Sequence, residues 1–187
     1  MIIATQHPDL NIVQLVAADV QEHFEVIDRN RDHLGPWLPW VPLVRAARDV
    51  ARFIAVSQAA WQGRHELACA LRLHGRIVGG IGIVHADHEN ECVSLGYWLD
   101  HELCGQGLMT TAVQAMTTWC LTDHAQHRVQ IQAAVGNVAS RRIPERLGFT
   151  QEGLLRQAAI VAGVRQDMVL YARLRTDQRL ENRRQET

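Results

Sequence analysis

Lysine is absent from this chain: all 19 basic residues are arginine, so chemistry that needs a lysine amine is excluded. That removes P-loop nucleotide hydrolysis, protein-kinase phosphotransfer, and Schiff-base or pyridoxal catalysis. Charge of one sign is also lacking. A net charge of −1 supplies no long-range field for a phosphate backbone or an anionic membrane, which disfavours nucleic acid and membrane as direct partners. The longest strongly apolar run, Ile77 to Val84, has eight residues and contains three glycines, far short of the roughly 20 that span a bilayer. Met1 to Asn11 shows no basic start followed by an apolar stretch, so no secretory signal is visible and a cytoplasmic location is expected. Cys69, Cys92, Cys104 and Cys120 are too widely spaced for a CxxC pair and too few for a disulfide scaffold.

What is present suffices for one core: 187 residues, 47% of them apolar. One domain over residues 1–175 is expected, with a polar tail over 176–187. Leu10 to Val16 reads as a strand, and Val20, Phe24 and Ile27 set a helical stripe within Ala18 to Asn30. Pro36, Pro39 and Pro42 leave Trp37 and Trp40 on an irregular segment before a helix over Ala46 to Trp61. Glu66 to Leu73, Ile77 to His85 and Cys92 to Leu99 form an antiparallel meander. A helix over Met109 to Asp123, a strand over Val129 to Val135 and a short helix over Val138 to Leu147 follow. Strands near Thr150 to Gln157 and Val164 to Leu174 end the pattern.

Between the strand Cys92–Leu99 and the next helix lies Gly105-Gln106-Gly107-Leu108-Met109. Glycines there let several N–H groups converge at a helix N-terminus, where the dipole also favours an anion, so a pyrophosphate fits without any lysine. A plain turn is the competing reading. A dinucleotide-binding fingerprint would need glycine or alanine at position 110 and an acidic residue after the next strand. The chain has Thr110 and Gly136-Asn137 instead.

Asn137-Val138-Ala139-Ser140 follows a strand directly, and Glu145-Arg146-Leu147-Gly148-Phe149 follows it. Paired with the glycine loop, this arrangement resembles the GCN5-related N-acetyltransferase superfamily. Within that superfamily, Ile27-Asp28-Arg29-Asn30, Trp37-Leu38-Pro39-Trp40, Gly96-Tyr97-Trp98-Leu99, Gly148-Phe149 and Glu152-Gly153 are similar to the subgroup that acetylates ribosomal-protein N-termini. The resemblance implies an α/β fold of about four helices with a mixed, mostly antiparallel sheet of about seven strands, splayed between the fourth and fifth. It implies acetyl-CoA as cosubstrate, with Gln106, Gly107, Met109 and Thr110 at its pyrophosphate, Trp98 and Leu99 beside the acetyl group, and Asn137 on pantetheine. Ser140 is implied as proton donor to the departing thiolate, and Asn30, Trp37 and Trp40 as acceptor-binding residues. The implied activity is acetyl transfer to a primary amine, the N-terminal α-amine of a ribosomal protein, with small first residues; a small-molecule amine or a CoA-binding sensor without turnover are the rivals. Oligomeric state is left open, a homodimer included.

Several of these residues have structural readings as well. Asn137 and Ser140 suit any helix start, and Trp37 and Trp40 could simply cover the core. Asp167 and Tyr171 could serve a cross-strand role. His85, His88 and the acids around them resemble metal ligands, but Asp87 to Glu91 lies where a hairpin must turn, so a solvated loop is expected and no metal ligand is assigned. Cys104 adjoins a helix N-terminus that could lower a thiol pKa, which raises redox sensing. Pro144 should kink or shorten its helix by deleting the N–H that would bond the Ser140 carbonyl. Ala159 stands where relatives can carry a glutamate general base, so no base is named.

Overall fold

Side-chain alternation sorts the chain into strands with two distinct faces. In the computed structural model, which describes residues 1–177, the strands are β1 (Ile2–Ala4), β2 (Leu10–Gln14), β3 (Leu67–Leu73), β4 (Arg76–Asp87), β5 (Cys92–Leu99), β6 (Arg128–Ala134), β7 (Thr150–Val161) and β8 (Val164–Leu174). They form one sheet in the order β1-β2-β3-β4-β5-β6-β8-β7. All neighbours are antiparallel except β5 and β6, which are parallel. A parallel pair needs a long crossover, and the glycine loop with helix α4 (Leu108–Leu121) supplies it.

Helices cover both faces. On one, α4 buries Leu108, Ala112, Val113, Met116 and Cys120 against Leu71, Ile81, Ile83, Val93 and Leu95. On the other, α1 (Val20–Arg29) and α3 (Ala47–Gln62) bring Val26, Ile27, Val50 and Ile54 onto Ala70 and Ile77. Helical stripes meet the strand positions of matching parity, which is what the two sequence periods require. A single helical turn, α2 (Arg31–Leu34), and α5 (Val138–Arg146) complete five α-helices among the described residues.

The expected architecture needs three adjustments. Among the described residues there are eight strands rather than about seven, because Ile2–Ala4 pairs with β2, and five α-helices rather than about four. Strand β7 continues past Gln157 to Val161 through an irregularity between Leu155 and Ala159. The tail expected from residue 176 lies, beyond residue 177, outside the described residues.

The splay is present, one strand later in the count. β5 pairs with β6 only from Cys92↔Arg128 to Leu95↔Ile131. Beyond that point β5 stays paired with β4 through Gly79↔Leu99, and β6 with β8 through Ala134↔Met168. The facing edges of Gly96–Leu99 and Gln132–Ala134 are therefore not bonded to each other.

Candidate active site

The loop into α4 is built by backbone handedness. Gly105 and Gly107 have φ of +81° and +80°, a region L side chains rarely enter, and no atom lies within 4 Å of a Cβ placed on either. The first turn of a helix leaves its N–H groups unbonded. Here the first helical bond is Thr111 N–H to the Gly107 carbonyl, 3.0 Å. The amides of Gln106, Gly107, Met109 and Thr110 thus stand at one helix N-terminus, open to a ligand. The Gln106 side chain turns back to the Glu102 carbonyl at 3.4 Å, while the Met109 side chain is buried.

Sequence reasoning missed a cation here. Arg146, at the end of α5, places its guanidinium 3.3 Å from Thr110 Oγ1. In a chain without lysine this is a positive charge at the loop, created by contact between α4 and α5, and nothing in the local pattern signals it.

Ser140 and Asn137 open α5. Asn137 Oδ1 accepts the Ser140 N–H at 3.1 Å, a helix N-cap. Pro144 lies inside α5 yet does not shorten it; the helix runs on to Arg146, and Leu147 N–H reaches the Ile143 carbonyl at 3.1 Å. The bond that proline removes is replaced from the sheet. Tyr97 donates its hydroxyl to the Ser140 carbonyl at 3.0 Å, and the Ser140 hydroxyl lies 3.3 Å from the same Tyr97 oxygen. Burial pushes the Tyr97 phenol up to about 12, so it keeps its proton near neutrality. Tyr97 thereby fixes Ser140 against the splayed edge of β5, a role the sequence did not reveal.

On the opposite face of β5, Trp98 projects toward α1 and α3. Its ring makes an edge contact with Trp40 at 6.3 Å between centroids and with His23 at 5.3 Å. Trp40 and Trp98 line a cavity of about 600 Å³ that also touches Gly96 and Tyr97. Trp37 sits elsewhere on the splay, its ring 3.7 Å from a Cβ placed on Gly136, at the β6–α5 turn. The proline-rich segment so spans the open edges, with one tryptophan toward each. Arg31 secures that segment by donating to the carbonyls of Val41 and Val44.

Asn30 does not join the cavity. It is buried, with Nδ2 donating to the Val26 carbonyl at 2.9 Å and Oδ1 accepting the His101 N–H at 2.9 Å. With the Arg29–Asp100 ion pair at 2.5 Å, it ties α1 to the loop after β5. Leu99 is also buried, facing α4, so only its backbone edge is open to the splay.

The remaining sequence candidates resolve as structure. Asp167 accepts the Gln157 N–H at 2.7 Å in the irregular stretch of β7. Tyr171 is buried between Arg141 and Glu145 on α5, at 3.0 and 2.6 Å. Cys104 is not activated: burial, then the nearby Asp100 charge, pushes its thiol above the usual range, contrary to a lowered value at a helix N-terminus. Ala159 lies on β7 opposite Gln166. Among the described residues, no three His, Cys, Asp or Glu side chains converge as metal ligands, and no helix is long and apolar enough to cross a membrane.

A parallel strand pair that parts midway, with a glycine loop and helix start after one strand and the Ser140 hydroxyl beside it, leaves a backbone edge that suits an extended, peptide-like ligand. The chain belongs to the acetyltransferase (GNAT) domain family, whose model matches residues 9–150. It is accordingly an acyltransferase that uses acetyl-CoA as cosubstrate. It is 31% identical over 172 residues to the "Putative ribosomal N-acetyltransferase YdaF" of Bacillus subtilis, covering 90% of this chain and 92% of that protein. It is 26% identical over 155 residues to the ribosomal-protein-serine acetyltransferase of Escherichia coli, covering 83% and 87%. Among solved structures, the microcin C7 self-immunity acetyltransferase MccE with acetyl-CoA and AMP aligns at TM-score 0.86 and 25% identity, covering 90% and 93%. The ribosomal L7/L12 acetyltransferase RimL with coenzyme A aligns at TM-score 0.89 and 24% identity over 93% and 98%, a likeness of fold.

Proposed function

We propose that this protein transfers acetyl from acetyl-CoA to the N-terminal α-amine of a protein, a ribosomal protein in the first instance, by direct attack of the amine on the thioester. The observation that carries the reading is the unpaired backbone edge Gly96–Leu99, flanked by the open amides of the α4 start and by Ser140. The names of the relatives in Bacillus subtilis and Escherichia coli support the choice of acceptor.

In this reading the amides of Gln106, Gly107, Met109 and Thr110 hold the pyrophosphate, with Arg146 adding charge. The edge at Trp98 and Leu99 pairs with the amide groups of pantetheine, whose far side meets Asn137. A backbone N–H of that edge stabilises the carbonyl oxygen as charge builds, a donor worth about 2.7–4 kcal/mol in comparable sites. The departing thiol has an ordinary pKa of about 8.5, and the Ser140 hydroxyl gives it a proton. Trp40 walls the acceptor side and Trp37 covers the β6–α5 turn. The reaction takes place in the cytoplasm, within one catalytic domain over residues 1–175.

No carboxylate stands at residue 159, so the acceptor must largely bring its own free base. An α-amine of pKa 7.7–8.0 is roughly a tenth deprotonated at pH 7, and a lysine amine of pKa 10.4 well below a thousandth. The gap is about 300-fold, or roughly 3 kcal/mol. A lysine-free peptide with a free N-terminus should therefore be acetylated much faster than an N-terminally blocked peptide containing lysine, with rate rising through about pH 8. Equal or faster reaction of the blocked peptide would overturn the acceptor assignment.

A further inference from the structure

The cavity on the acceptor side is shaped by missing side chains. Gly82 on β4 lies directly opposite Gly96 on β5 and Ala68 on β3, so a row across three strands has almost nothing on the face toward α1 and α3. A Cβ on Gly82 would come within 1.9 Å of the Leu67 carbonyl oxygen, so the backbone itself keeps this floor bare. About 600 Å³ opens above it, in the middle of the ~300–1,000 Å³ range of small-molecule sites.

The walls of that space are apolar. Leu15, Ile27, Val50 and Trp98 are among the inner lining. Leu43, Phe53, Val56 and Val84, exposed by 47 to 70%, ring the mouth. Most polar groups on the lining are already engaged. The Asp49 carboxylate accepts the Arg45 and Ala46 N–H groups, and Ser57 Oγ accepts the Ala68 N–H. Arg52 and Glu66 are exposed on the lining.

The one buried histidine of the lining is not fully engaged. His23 lines the cavity with 3% of its surface exposed, and its Nδ1 has no hydrogen-bond partner among the described residues. The cavity touches the open stretch of β5 at Gly96–Trp98.

We infer that the acceptor N-terminus carries a large apolar first residue (leucine, methionine or phenylalanine), whose side chain fills this cavity beside the open stretch of β5. This rests on the α-amine reading above and revises its expectation of small first residues. An alanine or serine side chain would leave most of the chamber and all of its apolar rim uncovered. Burying those walls is where discrimination between acceptors arises.

The test is kcat/KM for lysine-free pentapeptides differing only in a first residue of Ala, Ser, Leu or Phe, with an N-terminally blocked lysine peptide alongside. Leu and Phe peptides should exceed Ala and Ser peptides at least tenfold. Ala and Ser peptides reacting as fast or faster would overturn this inference and leave the α-amine reading standing. Turnover of the blocked peptide alone would overturn both. Ala68→Leu, which fills the floor, should cut the Leu-to-Ala preference at least fivefold, with CoA affinity by calorimetry reporting a folded protein; an unchanged preference would count against the cavity.

Discussion

Replacing Tyr97 by phenylalanine deletes one oxygen and keeps the ring that packs against the core. That oxygen donates at 3.0 Å to the Ser140 carbonyl, which Pro144 has deprived of its usual helical donor. Leaving such a group unsatisfied costs about 1–3 kcal/mol, and at roughly 2–4 °C per kcal/mol for a domain of this size the melting temperature should fall by about 2–12 °C. Pro144→Ala restores an N–H at residue 144. In that background the Ser140 carbonyl has a second donor, and Tyr97→Phe should cost less by about 1 kcal/mol. Thermal and urea unfolding of the wild type, both single variants and the double variant closes the cycle. A Tyr97→Phe cost equal in the two backgrounds, within about 0.5 kcal/mol, would refute the claim that this hydroxyl replaces the bond lost to proline.

Ser140→Ala should lower kcat by about 10²-fold, the lower range for a lost general acid, while calorimetric CoA affinity stays nearly constant; a loss confined to CoA affinity would remove Ser140 from the proton path. Gly107→Val should weaken CoA binding strongly, because φ of +80° strains a β-branched residue and the side chain blocks close approach. Gln106→Ala should matter little by comparison, and the opposite order in calorimetry would show that side chains rather than amides hold the phosphates. Burial, opposed by Asp19 and Glu22, lowers the His23 pKa from 6.5 to about 4. The folded state then binds fewer protons than the unfolded one in that window, so stability is full above about pH 6.5 and falls as pH drops toward 4. The shift corresponds to about 3 kcal/mol. His23→Phe should flatten that part of the pH–stability curve, and identical curves for the two proteins would refute the assignment.

Local conformation was legible wherever it depends on neighbours in the chain. The strand Cys92–Leu99, where Val93, Leu95, Tyr97 and Leu99 fall on one face, is observed with the expected bounds, as is Val164–Leu174. The loop at Gly105 and Gly107 was readable because positive φ favours glycine regardless of context. Ile2–Ala4 and Arg31–Leu34 escaped because three or four residues carry too little periodicity to register. Composition alone excluded lysine chemistry, and motif order pointed to the family.

Tertiary structure decided everything that depends on residues far apart in sequence. The parting of β5 from β6 is a pairing that stops after Leu95 and Ile131, and no local signal records where a pairing ends. Asn30 belonged to a motif, yet its amide is taken up by Val26 and His101. Tyr97 meets Ser140 across 43 positions, turning a helix-breaking proline into a tolerated one. The bare floor of Ala68, Gly82 and Gly96 exists only once three strands are in register. Sequence determines dihedral preference and which face of each element is apolar, since both are set by adjacent residues; which faces meet, and what space they leave, is fixed by long-range packing that the chain encodes only collectively.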